Sequence, residues 1–281
     1  MQQKQFYPNI WAALFIIALY TFIQAIVELP IALYDYHHGT SYLSSPLVSY
    51  PVFIGSTLFI LFYGYKSSGF SLKEVFPFKW FAVWLLLPFI LMDVSIQYYM
   101  ADINTWFTQL IPVPDWFNQL FARIFERAPS QWVGIAKVVL IGPIIEELIF
   151  RGIIMNGFLR NYSKTKAILI SALLFGFFHM NPWQFIPATI LGVLVGILRA
   201  QTGSIWAAIA GHSIHNGLVY LSIVFWKPLS QEPLLQHTTQ NNVIHGFVIL
   251  LMITIIIFAT RKNNKYRWFR KPIITKTDQH A

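Results

Sequence analysis

Apolar residues gather in eight long runs, at about 11–29, 48–65, 80–100, 132–156, 166–180, 183–199, 203–226 and 244–260, with polar residues between them. A helix rises about 1.5 Å per residue, so about twenty apolar residues cross a hydrocarbon core about 30 Å thick. The pattern predicts an all-α fold: a polytopic membrane helix bundle of about eight transmembrane helices. The fifth and sixth runs are short. Met180-Asn181-Pro182-Trp183 separates them and equally suits the turn of a helical hairpin. The first run follows Met1-Gln2-Gln3-Lys4 without a small-residue cleavage site, and reads as a retained helix and not a signal peptide. Before the fourth run, Asp115 to Arg127 sets Trp116, Phe117, Leu120, Phe121, Ile124 and Phe125 on one helical stripe. That is the pattern of an amphipathic helix lying in the interface or packed on the bundle. With no internal repeat or flexible linker, residues 1–281 read as one integral-membrane domain.

Composition agrees. Apolar residues make up 56% and charged residues 11%, where a soluble domain carries about 25% charge. Cysteine is absent, which excludes thiolate nucleophiles and cysteine metal sites. The net charge of +9 would suit a nucleic-acid partner, but its distribution argues against one. With the N-terminus inside, most of the 20 Lys and Arg fall on the inner side, and Arg123, Arg127 and Lys227 fall outside. Both termini are therefore expected in the cytoplasm of a cell whose plasma membrane, taken as bacterial, holds the chain. The basic tail, 261–281, reads as a topology and anionic-lipid anchor.

Three ionisable residues interrupt the fourth run: Glu146, Glu147 and Arg151. A charge at mid-bilayer costs a few kcal/mol or more, so it persists mainly when paired or functional. Glu147 and Arg151 are four apart and can form an ion pair on one helix face. Glu146 is turned about 100° from Glu147 and is free to do chemistry. Two further runs answer it. The fifth ends Phe175-Gly176-Phe177-Phe178-His179, and the seventh holds His212-Ser213-Ile214-His215-Asn216, with His212 and Asn216 on one face. Counting rise from the inner ends places Glu146, His179 and His212 roughly 14–20 Å deep. Three helices thus bring polar groups to one depth.

Glu146-Glu147-x-x-x-Arg151, Phe175-x-x-x-His179 and His212-x-x-x-Asn216 resemble, in order and spacing, the motifs of the CPBP family, the CAAX proteases and bacteriocin-processing proteins. The resemblance covers roughly 130–220 and makes 130–226 the expected catalytic core. It implies an intramembrane endopeptidase acting on a membrane-associated protein or peptide, with the motif residues carrying catalysis. The chemistry follows from the residues as well. Poor solvation makes Glu146 a stronger general base toward water. His179 can hold the same water, and His212 and Asn216 can offer N–H donors to the oxyanion. Glu147 and Arg151 support the helix. No cofactor is expected on this reading. The competing one sets zinc on Glu146, His179 and His212 with an open fourth position. Outside protease chemistry stand a non-catalytic membrane partner, such as a bacteriocin-immunity protein, and a proton-coupled transporter, although the repeats of a transporter are absent.

Other polar residues have structural readings. Asp93 is expected to pair with Lys137, and Asn156 to cap the motif helix. His215 is expected beside the site, Gly192 and Gly196 at a close helix contact or a dimer face, and His37 and His38 in an outer loop.

Overall fold

The computed structural model describes residues 5–118, 135–229 and 237–261, and within them the secondary structure is helical throughout. Helix α1 (Ile10–His38) starts at Asn9, whose side chain accepts from the Ala12 N–H, and stops at left-handed Gly39. His37 and His38 belong to its last turn and not to a loop. Helix α2 (Pro46–Ser68) ends at Gly69, and the short α3 (Leu72–Val75) follows. Ser71 donates both its N–H and its hydroxyl to Glu74, holding that carboxyl below the usual carboxylate range. Helix α4 (Leu86–Leu110) enters through a tight turn at Val83–Leu85.

The motif helix, α5, runs over 137–161 in four joined stretches. Wide turns at Lys137–Ile141 and Leu148–Ile154 alternate with regular helix at Gly142–Glu147 and Met155–Asn161. Such π-type turns recur at functional sites. Here the first one has a sequence cause. Pro143 lacks an N–H and crowds the carbonyl four residues back, and the Gly142 N–H reaches back five residues to the Lys137 carbonyl. Helices α6 (Lys164–Phe178), α7 (Pro182–Thr202), α8 (Ile205–Leu229) and α9 (Thr239–Thr260) complete the described bundle.

Among the described residues, four helical stretches are long and apolar enough by themselves to cross a membrane: Ile10–His38, Val83–Leu110, Pro182–Thr202 and Thr239–Thr260. The expected count of about eight is not established. Helix α6 has 15 residues, about 22 Å of rise, and α5 carries the motif charges. The many exposed apolar side chains, among them Trp11, Leu47, Phe62 and Leu250, suit a lipid-facing surface. Residues 115–118 are helical. The rest of the proposed interfacial helix, and all but the first residue of the basic tail, lie outside the described residues.

The core is built around the C-terminal half of α5. Ile149, Phe150, Ile153, Ile154, Met155 and Phe158 are buried there beside Ile16 of α1, Ile60 of α2 and Leu198 of α7. Asn156 does not cap this helix, which continues to Asn161; its buried amide donates to the Glu74 carbonyl. Helix α6 turns back on α7 as a hairpin, with Asn181 capping α7 and Pro182 in its first turn. The pair lies close because of glycine. A Cβ on Gly192 would come within 2.8 Å of the Ala172 Cα, and one on Gly196 within 3.1 Å of Ile168. The Gly-x-x-x-Gly thus packs within the chain. Gly192→Leu is expected to lower stability by about 1–3 kcal/mol through overpacking, whereas Gly55→Ala, with nothing within 4 Å, should be near neutral. Thermal unfolding in detergent checks both.

Candidate active site

Glu147 is the centre of the polar cluster. Its Oε1 accepts from Arg151 at 2.9 Å and from His212 Nδ1 at 2.8 Å, and all three side chains are buried. The Arg151 guanidinium also donates to the Gly192 carbonyl at 2.9 Å, so the hairpin contact and the ion pair share a fastening. The expected Glu147–Arg151 pair is therefore present, and Glu147 has a second partner that spacing along one helix could not reveal. A carboxylate only accepts, so the proton on His212 sits on Nδ1 and its Nε2 faces the other way.

That nitrogen lies 3.7 Å from Glu146 Oε2. Glu146 is the less enclosed of the two glutamates, its side chain 25% exposed. Helix geometry thus separates the pair as expected: one carboxylate is locked, the other looks onto His212 from an open side.

His179 follows the last turn of α6, where its Nδ1–H donates to the Phe175 carbonyl at 2.9 Å. Its Nε2 is left as an acceptor. Among the described residues no hydrogen bond joins it to Glu146. Phe175 lies between the imidazoles instead, edge-on to His179 at 5.0 Å and to His212 at 5.6 Å, with the Arg151 guanidinium 4.9 Å from the same ring. Phe175, a motif residue with no role assigned by the sequence alone, is the spacer of the site.

Asn216 is tied back to α5. Its amide donates to the Val138 carbonyl at 2.8 Å. The helical partner of that carbonyl is missing because the Gly142 N–H is taken by Lys137 and Pro143 has no N–H, and a buried carbonyl needs a donor. The Asn216 amide has a second N–H, which this bond leaves available. As for a metal, among the described residues no three His, Cys, Asp or Glu side chains are grouped to hold an ion.

Comparison with known proteins bears on the same stretch. Residues 128–218 match the model of the Rce1-like type II CAAX prenyl endopeptidases. Two curated proteins are similar. The putative membrane peptidase YdiL of Bacillus subtilis (strain 168) is 34% identical over 114 residues, 40% of this chain and 44% of that protein. The membrane-embedded CAAX protease MroQ of Staphylococcus aureus (strain USA300) is 28% identical over 181 residues, 62% and 69% of the respective lengths. Residues 128–218 are thus similar to the CAAX proteases. The chain spans less than half the length of the first relative. No solved structure matches significantly.

The matched segment also contains His215, and here one expectation is corrected. Asp93 does not pair with Lys137. Its Oδ1 accepts from His215 Nδ1 at 2.9 Å, across α4 and α8. Partner choice between helices depends on which helices are neighbours, and α4 packs on α8.

Proposed function

We propose that this chain is an intramembrane endopeptidase that hydrolyses a peptide bond in a membrane-associated protein or peptide, with Glu146 as general base. The observation that carries the reading is the sequence of contacts Glu146, His212, Glu147. A partly open carboxylate faces an imidazole nitrogen, and the far side of that imidazole is fixed by a buried carboxylate.

In the reaction, Glu146 takes a proton as water oxygen attacks the scissile carbonyl carbon, and the carbonyl oxygen becomes an oxyanion. His179 Nε2, an acceptor, helps hold the water. His212 acts once Nε2 carries a proton. The Glu147 carboxylate then faces the imidazolium at Nδ1, as the buried carboxylate does in hydrolytic triads, and Nε2–H donates to the oxyanion. The spare Asn216 N–H adds a second donor, and one such donor is worth about 3 kcal/mol. Collapse of the intermediate breaks the C–N bond, and the proton held by Glu146 passes to the departing amine. Nothing in this scheme calls on an ion. A prenylated CAAX peptide, after the matched family's description as type II CAAX prenyl endopeptidases, is the first substrate class to try. The inner-side charge bias supports a plasma-membrane chain with the 160–166 loop facing the cytoplasm.

The test compares protein termini between cells with wild-type chain and cells with Glu146→Ala at equal expression. New N- and C-termini of a membrane-associated protein should be present in the first and absent in the second. Identical sets of termini would refute the peptidase reading. With the purified enzyme, strong chelators are expected to leave the rate unchanged; stoichiometric zinc lost together with activity would move the same residues into a metal mechanism.

A further inference from the structure

The scheme above leaves one buried pair without a part. Asp93 is fully buried in α4, within the Val83–Leu110 span, and its Oδ2 has no hydrogen-bond partner among the described residues. Its Oδ1 holds His215 Nδ1 at 2.9 Å, and the Gln97 side-chain amide, one turn along α4, lies 3.3 Å from the same nitrogen. A carboxylate at that place in a membrane span is costly, and well-packed apolar residues often replace a buried ion pair without loss of stability. Packing alone does not account for it.

The geometry of α8 does. Within one turn, three side chains leave the helix toward three fixed points: His212 to Glu147, Asn216 to the Val138 carbonyl, and His215 to Asp93. The first two anchors are both on α5. Held from that side only, α8 could pivot about the α5 edge and swing His212 Nε2 away from Glu146. His215 points about 60° from His212 around the helix, and its anchor is on α4.

We propose that Asp93 and His215 are a positioning pair: anchored to α4, they fix the rotation of the α8 turn so that His212 stays aimed at Glu146. In naming His212 as the group to be aimed, the proposal rests on the endopeptidase reading, but its main test does not need a substrate.

The full chain would be labelled with ¹⁵N-histidine and reconstituted in phospholipid nanodiscs. The wild type should show a slowly exchanging, downfield Nδ1–H signal that disappears in His212→Gln and so belongs to the Glu147 bond. Asp93→Ala should lose or broaden that signal. Asp93→Asn should keep it, because the Asn carbonyl oxygen still accepts from His215. Asp93→Leu/His215→Leu removes the pair without stranding a charge and serves if Asp93→Ala does not fold; the signal should again be lost. If the folded double variant keeps the wild-type His212 signal, the pair is only structural and the proposal falls. A kinetic arm uses an internally quenched farnesylated CAAX peptide. The double variant should lose kcat by up to about 10²-fold, the scale of a 1 Å misplacement, with KM little changed. If Glu146→Gln cleaves this peptide as well as wild type, the endopeptidase reading fails, while the histidine signal still decides the pair.

Discussion

Glu146→Gln is expected to cut cleavage by about 10²–10⁴-fold, the usual contribution of a positioned general base, while the protein unfolds at nearly the wild-type temperature. The two halves of this result have separate causes. Glutamine is isosteric and cannot take the proton of the attacking water, so chemistry stops. Stability is spared because Glu146 holds nothing together. Its side chain is partly open, and among the described residues its ionisable neighbour, His212 Nε2, stands 3.7 Å away, beyond a good hydrogen bond. His212 remains fixed from its other nitrogen. Rates on purified enzyme, normalised to folded protein, would measure the first half, and thermal unfolding the second. A fully active Glu146→Gln would take the base away from this residue and with it the proposed mechanism.

What could be read from the sequence follows the reach of each interaction. Glu147 and Arg151 lie four apart on one helix, and a local rule finds such a pair. The convergence of Glu146 and His212 needed more, but three short motifs at a common depth in the fourth, fifth and seventh apolar runs were enough to bring them together. Features fixed by the rotation of one helix against another were out of reach. Asp93 was matched to Lys137 by charge, whereas the packing of α4 on α8 gives it His215. The His212 contact of Glu147 was missed for the same reason. Asn156, at the end of an apolar run, reads as a cap, yet the helix goes on through Asn161. The wide turn before the motif was readable in principle from Pro143, which removes a donor and frees the Val138 carbonyl for Asn216. The number of spans is the least legible quantity, because α6 is short and its composition does not distinguish a crossing from half of a hairpin.

Substitutions at Glu147 are expected to separate folding from catalysis. Glu147→Ala should destabilise the protein by about 3–5 kcal/mol, because it leaves the Arg151 charge buried without its partner, and activity should fall with the folded fraction and beyond it. In Glu147→Leu/Arg151→Leu no charge is stranded. The Gly192 carbonyl loses its Arg151 donor, a cost of about 1–3 kcal/mol for an unsatisfied buried acceptor, so the double variant should still be more stable than Glu147→Ala. It should nevertheless stay nearly inactive, since His212 Nδ1 has lost its acceptor and nothing then selects the tautomer or balances an imidazolium. Denaturation in detergent and cleavage per folded molecule give the two readings. A double variant no more stable than Glu147→Ala would sink the ion-pair account. One that is stable and fully active would leave the ion pair standing and remove Glu147 from the catalytic arrangement, making His212 independent of the carboxylate it touches.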